Sequence, residues 1–377
     1  MTKRTWLFTF ITTLLILGLA ACGGDGGDGG DGGGGGGIPT ATNSAITPPP
    51  STPVAITTAG GATSPTNQGI AANAFQASEG ALSSAATASP LLGAVADNGS
   101  TQAKRDTLGG IVRRHAEKLK DHTSFVTGAA HSVTSAVQVA TQPCTGGGTI
   151  TFAFDDASLS ATEVFVNCIE GGTVVHGTIS SSNVGVSQNL GSFVGSPYTI
   201  TVSATFAIDL SVATTAPAST FVTQSSFSFT TTFSGNMQAS GTGVAPGVPN
   251  RVQISMNGAS LLTSNGTVRE LLSNFSLFVD DNDLAGTTTL AGGYTYASTI
   301  FGGSVAVIIS PALVSQPQGA LHPTTGAVTI TSSASPGKIV LTVISSPVVG
   351  VRVDVHASAL GPVTDTADLT WAQLEAL

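Results

Sequence analysis

The residues of this chain best suited to covalent chemistry are its 3 cysteines, and their spacing sets one apart from the other two. Cys22 closes the run Leu19-Ala20-Ala21-Cys22, behind a charged start at Lys3-Arg4 and an apolar stretch from Trp6 to Leu19. A basic start, a short apolar run and small residues before a cut describe a secretory signal peptide over residues 1–21, which leaves the Cys22 thiol at the mature N-terminus. Cys144 and Cys168 remain, an even pair in an oxidising compartment, and a disulfide is expected between them. Such a bridge closes a loop of about 25 residues and is worth about 3.5 kcal/mol by chain entropy. A redox or metal role would need Cys-x-x-Cys spacing or clustered histidines, and the sequence has neither.

The other reactive residues are scattered. His115 and His122 fall on one helical stripe, but seven residues put them about 10 Å apart, too far for one metal. They read as histidines on the rim of a helix interface. Asp280, Asp281 and Asp283 resemble the start of a calcium loop. Counted from Asp281, however, the fifth and twelfth positions hold Ala285 and Gly292, where an EF-hand wants oxygen ligands. A hairpin turn is the better reading. No Gly-x-Ser-x-Gly elbow, His-Glu-x-x-His helix or phosphate-binding loop is present. The expectation is a non-enzymatic protein with no catalytic residues, no metal and no cofactor.

Composition narrows the partners. Lys and Arg number 12 against 21 Asp and Glu, a net charge of −9. Without Lys3 and Arg4 the cations fall to 10 and the balance to −11. An acidic chain of this kind is a poor match for nucleic acid. Residues 6–19 are too few, and too diluted by Thr9, Thr12 and Thr13, for a membrane span of about 20 apolar residues. Residues 22–66 are Gly/Asp-rich and then Pro/Thr-rich, and such compositions bury too little apolar surface to order themselves. They are expected to form a disordered tether.

The hydrophobic period places the rest. Residues 67–143 read as a helical segment, with Ala-rich stretches at 70–88, an amphipathic helix over 101–122 carrying Leu108, Val112, His115 and Leu119, and a further helix over 124–140. Arg113, Arg114, Lys118 and Lys120 lie in the amphipathic helix, as a solvated face or as a hold on an anionic envelope surface. From Thr149 the period becomes two. Ile200 to Val212 and Phe227 to Met237 alternate, as do Val349, Val351, Val353 and Val355, with Asn265-Gly266, Asp281 to Asp283, Pro323 to Gly326 and Pro336-Gly337 as turns. About ten to thirteen strands are indicated. The expected fold class is mainly β, a large antiparallel sheet over residues 144–377, curled or sandwich-like, preceded by the helical segment (α+β overall). A membrane-spanning barrel would carry aromatic girdles, and 3 Tyr with few Trp cannot build them.

Two resemblances bear on these residues. Leu19-Ala20-Ala21-Cys22 resembles the lipobox of bacterial lipoproteins, which implies a diacylglycerol on the Cys22 thiol. Gly23, rather than Asp, after the cysteine favours the outer membrane as the anchored surface. In addition, Cys144-Thr145-Gly146-Gly147-Gly148, Phe165-Val166-Asn167-Cys168 and the terminal Trp371-Ala372-Gln373-Leu374 resemble a group of proteobacterial lipoproteins that carry no known activity. That likeness implies the disulfide and a β-rich body.

Two functions follow as expectations. The first is a structural or interaction module whose Ser/Thr-rich sheet or loops contact another envelope component, protein or lipid. The second is an amphiphile carrier, with Phe206, Phe227, Phe229 and Phe233 lining an apolar cavity inside a curled sheet. A carrier must leave part of its apolar face unfilled by protein, and a module must not.

Overall fold

The computed structural model describes residues 40–85, His115 and residues 137–377 apart from a few turn positions. Cys22, the signal peptide, the Gly/Asp tract and the basic side chains 113, 114, 118 and 120 lie outside the described residues, as does the 101–122 helix except at His115.

Among the described residues fifteen strands form a single antiparallel sheet. They are β1 (Val137–Pro143), β2 (Thr149–Asp155), β3 (Ser160–Glu170), β4 (Thr173–Asn189), β5 (Pro197–Thr215), β6 (Ala218–Ser240), β7 (Gly243–Pro246) and β8 (Arg251–Asn265). The chain continues through β9 (Val268–Asn282), β10 (Thr287–Ser298), β11 (Gly303–Ser315), β12 (Ala327–Ser332), β13 (Ser335–Ile344), β14 (Gly350–His356) and β15 (Val363–Thr370). Each strand pairs with the next in sequence, except that β6 pairs with β8 while the short β7 folds back on the end of β6. The sheet is not closed into a barrel. Hairpin connections account for this order, because antiparallel neighbours need only short turns.

The sheet is sided as the alternation requires. Ile200, Val202, Ala204, Phe206, Ile208, Leu210 and Val212 are all buried, while Thr201, Ser203 and Thr205 face outward. This polarity is the reverse of a membrane barrel, whose apolar residues point out to lipid. Strand lengths differ widely. β5 has 19 residues and β12 has 6, about 60 Å against 20 Å. The long strands overshoot the main core and enclose a second cluster, Tyr198, Ile200, Val202 and Met237 with Val186 and Phe233.

The concave face is filled by the chain's own helix. Helix α1 (Pro65–Ala85) opens with proline, which suits a first helical turn, and Ile70, Ala71, Ala72, Ala74, Phe75 and Ala77 are fully buried. Consecutive positions buried all the way round mean that the sheet curls about the helix, since a surface helix buries one stripe only. Alanines permit this close approach from several sides. At the C-terminus, α2 (Trp371–Glu375) starts with a Thr370/Gln373 capping box. Its Trp371 packs on Phe75 at 5.7 Å, and Gln76 Nε2 donates to the Leu374 carbonyl at 3.0 Å.

Four expectations are corrected. Residues 40–64, the Pro/Thr-rich half of the expected tether, form an ordered strap. Its backbone meets side chains of strands far apart in the sheet, β5, β6 and β13: the Asn43 N–H donates to Asp209, the Ile46 N–H to Gln224, and the Ile56 N–H to Ser335. The composition cannot build a core of its own, but the sheet supplies the partners that it lacks. Residues 137–143, the end of the expected helical segment, are strand β1, because β2 offers a ladder from Val137↔Asp155 to Pro143↔Thr149. Val349 is 65% exposed in the turn before β14, not on the inner row. Pro336-Gly337 begins β13, and the turn falls just before it.

Candidate functional site

Three groups of residues combine chemistry with position. The first is a hydrogen-bonded chain in the core. His115 is buried with its Nδ1 3.3 Å from Glu163 Oε2 and its Nε2 3.1 Å from Ser181 Oγ. Alternation carries Glu163 inward with Ala161 and Phe165 on β3, and Ser181 inward with Ile179 on β4. Phe152 and Phe206 meet the imidazole edge-on at 5.8 and 5.6 Å.

Serine, histidine and carboxylate in this order imitate a hydrolase triad. The surroundings do not. Ser181 is 2% exposed in mid-strand, and its Oγ lies 3.4 Å from the Ala161 carbonyl. It sits between Ala161 on β3 and Phe206 on β5, so its backbone groups serve the ladders rather than an oxyanion. What the arrangement does is clamp: it fixes His115 to the sheet through two polar contacts in an apolar setting. Leaving a buried polar group without its partner here costs about 1–3 kcal/mol.

The second group lies beside α1. Ser78 Oγ and Tyr294 Oη are 2.8 Å apart, and Tyr294 Oη also donates to the Ala74 carbonyl at 3.1 Å. Tyr296 donates to the buried Glu270 carboxylate. Burial pushes both phenols well above the usual tyrosine range, and the Glu270 charge adds to the rise. Both tyrosines therefore stay neutral as donors that tie helix to sheet.

The third group is the outer face. Residues 171–250 contain a single charged side chain, Asp209. The strap covers it: Asp209 accepts from Asn43 N at 2.9 Å, Asn43 Nδ2 at 3.2 Å and Gln224 Nε2 at 3.1 Å. The rest of the outer rows on β4, β5 and β6 is mostly hydroxyl and amide, with Thr201 and Thr232 Oγ1 atoms 3.1 Å apart across the ladder. Further along, Arg251 holds Asp280 through two bonds of 2.8 and 2.7 Å.

The residues singled out from sequence distribute as follows. Cys144 and Cys168 are bonded, with Cα atoms 5.5 Å apart. The neighbouring motif residues are structural. Gly148 has φ +75°, and a Cβ there would lie 2.1 Å from the Asn167 carbonyl oxygen. Asn167 itself has φ +47°, a conformation asparagine tolerates better than most residues. Phe206, Phe227 and Phe229 form one packed group, with centroids 5.8 Å apart for the 206–227 pair and 5.1 Å for 206–229. Phe233 does not join them and packs on the second cluster instead. Asp280 and Asp281 diverge: the first faces Arg251, while the second accepts from Thr288 and Gln318.

Sequence reading missed Glu163 and Glu270. Their parity with Phe165 and Leu272 was the available signal, for it places a carboxylate on an inward row. Comparison with known protein families, with curated proteins and with solved structures finds no match for this chain.

Proposed function

We propose that this chain is a non-enzymatic envelope lipoprotein, anchored through a lipid on Cys22, whose β body is an interaction module. One observation carries the reading: the concave apolar face is occupied by α1 and His115, and three of the four phenylalanines named for a cavity, Phe206, Phe227 and Phe229, pack on one another, with Phe206 against that histidine. A carrier would need this space for its ligand. The outward rows remain as the surface available to a partner, and the near absence of charge on those of β4, β5 and β6 argues against nucleic acid. The signal peptide, the lipobox and Gly23 support export and an outer-membrane anchor.

Native mass spectrometry of the mature full chain, extracted in detergent, tests this reading. The expected result is a covalent diacylglyceryl increment that Cys22→Ala abolishes, with no dissociable lipid. A lipid that dissociates on activation, and whose capture is lost in Phe227→Asp, would replace the module with a carrier. A mature mass without the increment would remove the anchor.

A further inference from the structure

We propose that the outer face centred on Phe278 binds a neutral polysaccharide chain. The proposal rests on the interaction-module reading and names its partner class. Phe278 lies on β9 with its ring turned away from the core and 40% exposed, an unusual place for a phenylalanine on a face built of hydroxyls. Its ladder partner on β10 is Ala291, and the next outward position on β10 is Gly293, which faces Ile308 on β11. Ile308 is 51% exposed. An aromatic ring and an aliphatic side chain thus stand two strand spacings apart and two residues offset along the strands, about 12 Å. Between them lie only a methyl group and a hydrogen.

A pyranose ring has matching chemistry. Its C–H face stacks on an aromatic face, and its rim carries hydroxyls in every direction. Phe278 supplies the first surface. The register supplies the second: Ser203, Thr230, Ser255 and Phe278 are successive ladder partners across β5, β6, β8 and β9. That row is about 15 Å long at ordinary strand spacing. It offers hydroxyl donors and acceptors at regular intervals to a chain laid across the strands.

Charge selects among polymers. The nearest carboxylate on this face, Asp280, is matched by Arg251 through a bidentate pair, and Asp209 is engaged by the strap. Among the described residues the cation nearest Phe278, Arg251, is thus neutralised, and Arg269 at the far end of β9 is turned to the Thr47 carbonyl of the strap, so no free cation stands beside the ring to hold a polyanion. A protein partner is a poorer fit, since stable protein interfaces rest on a cluster of buried anchors and this face offers two isolated ones.

Affinity electrophoresis of the mature full chain tests the proposal, in gels cast with hydroxyethylcellulose, dextran or laminarin, and with alginate as the polyanion. Retardation is expected in at least one neutral polymer and not in alginate. Phe278→Ala should weaken it about tenfold, the scale of losing an aromatic anchor, while Phe278→Trp retains it. Because the ring faces solvent, the Ala variant should keep the near-ultraviolet signal of the folded protein. Failure of every neutral polymer to retard the chain overturns the proposal, as does retardation that Phe278→Ala leaves intact. Neither result touches the filled interior, which the lipid measurement tests separately.

Discussion

Phe206 and Thr205 are neighbours in one strand, yet they belong to two different surfaces. The inner surface of β5 and β6 is mainly aromatic and aliphatic and closed over His115, and two hydroxyls on it, Thr223 and Thr231, are buried without a hydrogen-bond partner among the described residues. The outer surface of the same strands is nearly uncharged hydroxyl, held by the ladders and crossed at one end by the strap. Period-two alternation alone produces both. The difference lies in what each tolerates. The inside is fixed by packing, so its residues answer to stability. The outside is free of that constraint, so a regular pattern there is available for recognition.

High pH breaks the inside first, and this is the largest effect expected. All 3 tyrosines of the chain, at 198, 294 and 296, are buried, so phenol ionisation probes the interior alone. Burial raises the folded pKa of Tyr294 and Tyr296 above the unfolded value of about 10. Above that pH the unfolded chain has released protons that the native state retains, so stability falls as pH rises. Tyrosinate absorbance should appear together with loss of circular dichroism, in one transition. Tyr294→Phe should shift that transition upward. Tyrosinate formed in a folded chain would show that the core is open to water.

Phe206→Ala comes next, at about 3–5 kcal/mol by denaturant unfolding, because it empties the centre of a ring cluster that also seats His115. A loss below 1 kcal/mol would mean that the site collapses, and the contrast between the faces would weaken.

Much of this contrast was legible in the sequence. Alternation at 200–212 and 227–237 marked the inner row, and cysteine parity marked the bridge. The curl about α1 was not legible, because Ala71, Ala72 and Ala74 carry no stripe that distinguishes a helix buried all round from a weak one. Nor was the strap. Its contacts join residues far apart in the chain, Asn43 to Asp209 and Ala62 to Asp365, and depend on side chains that local composition does not reveal. The His115 clamp was half visible: the histidine stood out, but Glu163 becomes its partner only once β3 turns its inward row towards the imidazole.

The strap joins the two faces, and its loosening should be intermediate. Asp209→Ala removes the acceptor for Asn43 and Gln224, and the loss should be about 1–2 kcal/mol, less than for a core ring. Hydrogen exchange should speed up at residues 43–47 and leave the amides of β5 unchanged. Protection lost throughout β5 would mean that the strap holds the sheet rather than resting on it.

The smallest effect sharpens the comparison most. Thr232→Ala removes one hydroxyl of the outer pair with Thr201, and a partly exposed cross-strand pair of this kind is worth about 0.5 kcal/mol or less. The midpoint of denaturant unfolding should therefore barely move, although Thr232 lies one residue from Phe233 and in the strand that carries Phe227. A cost above 2 kcal/mol would show the outer row to be structural, and its uncharged pattern would then need no partner to account for it. A negligible cost leaves packing unable to account for the pattern, so that the outward residues of β5 and β6 must be explained by what they touch.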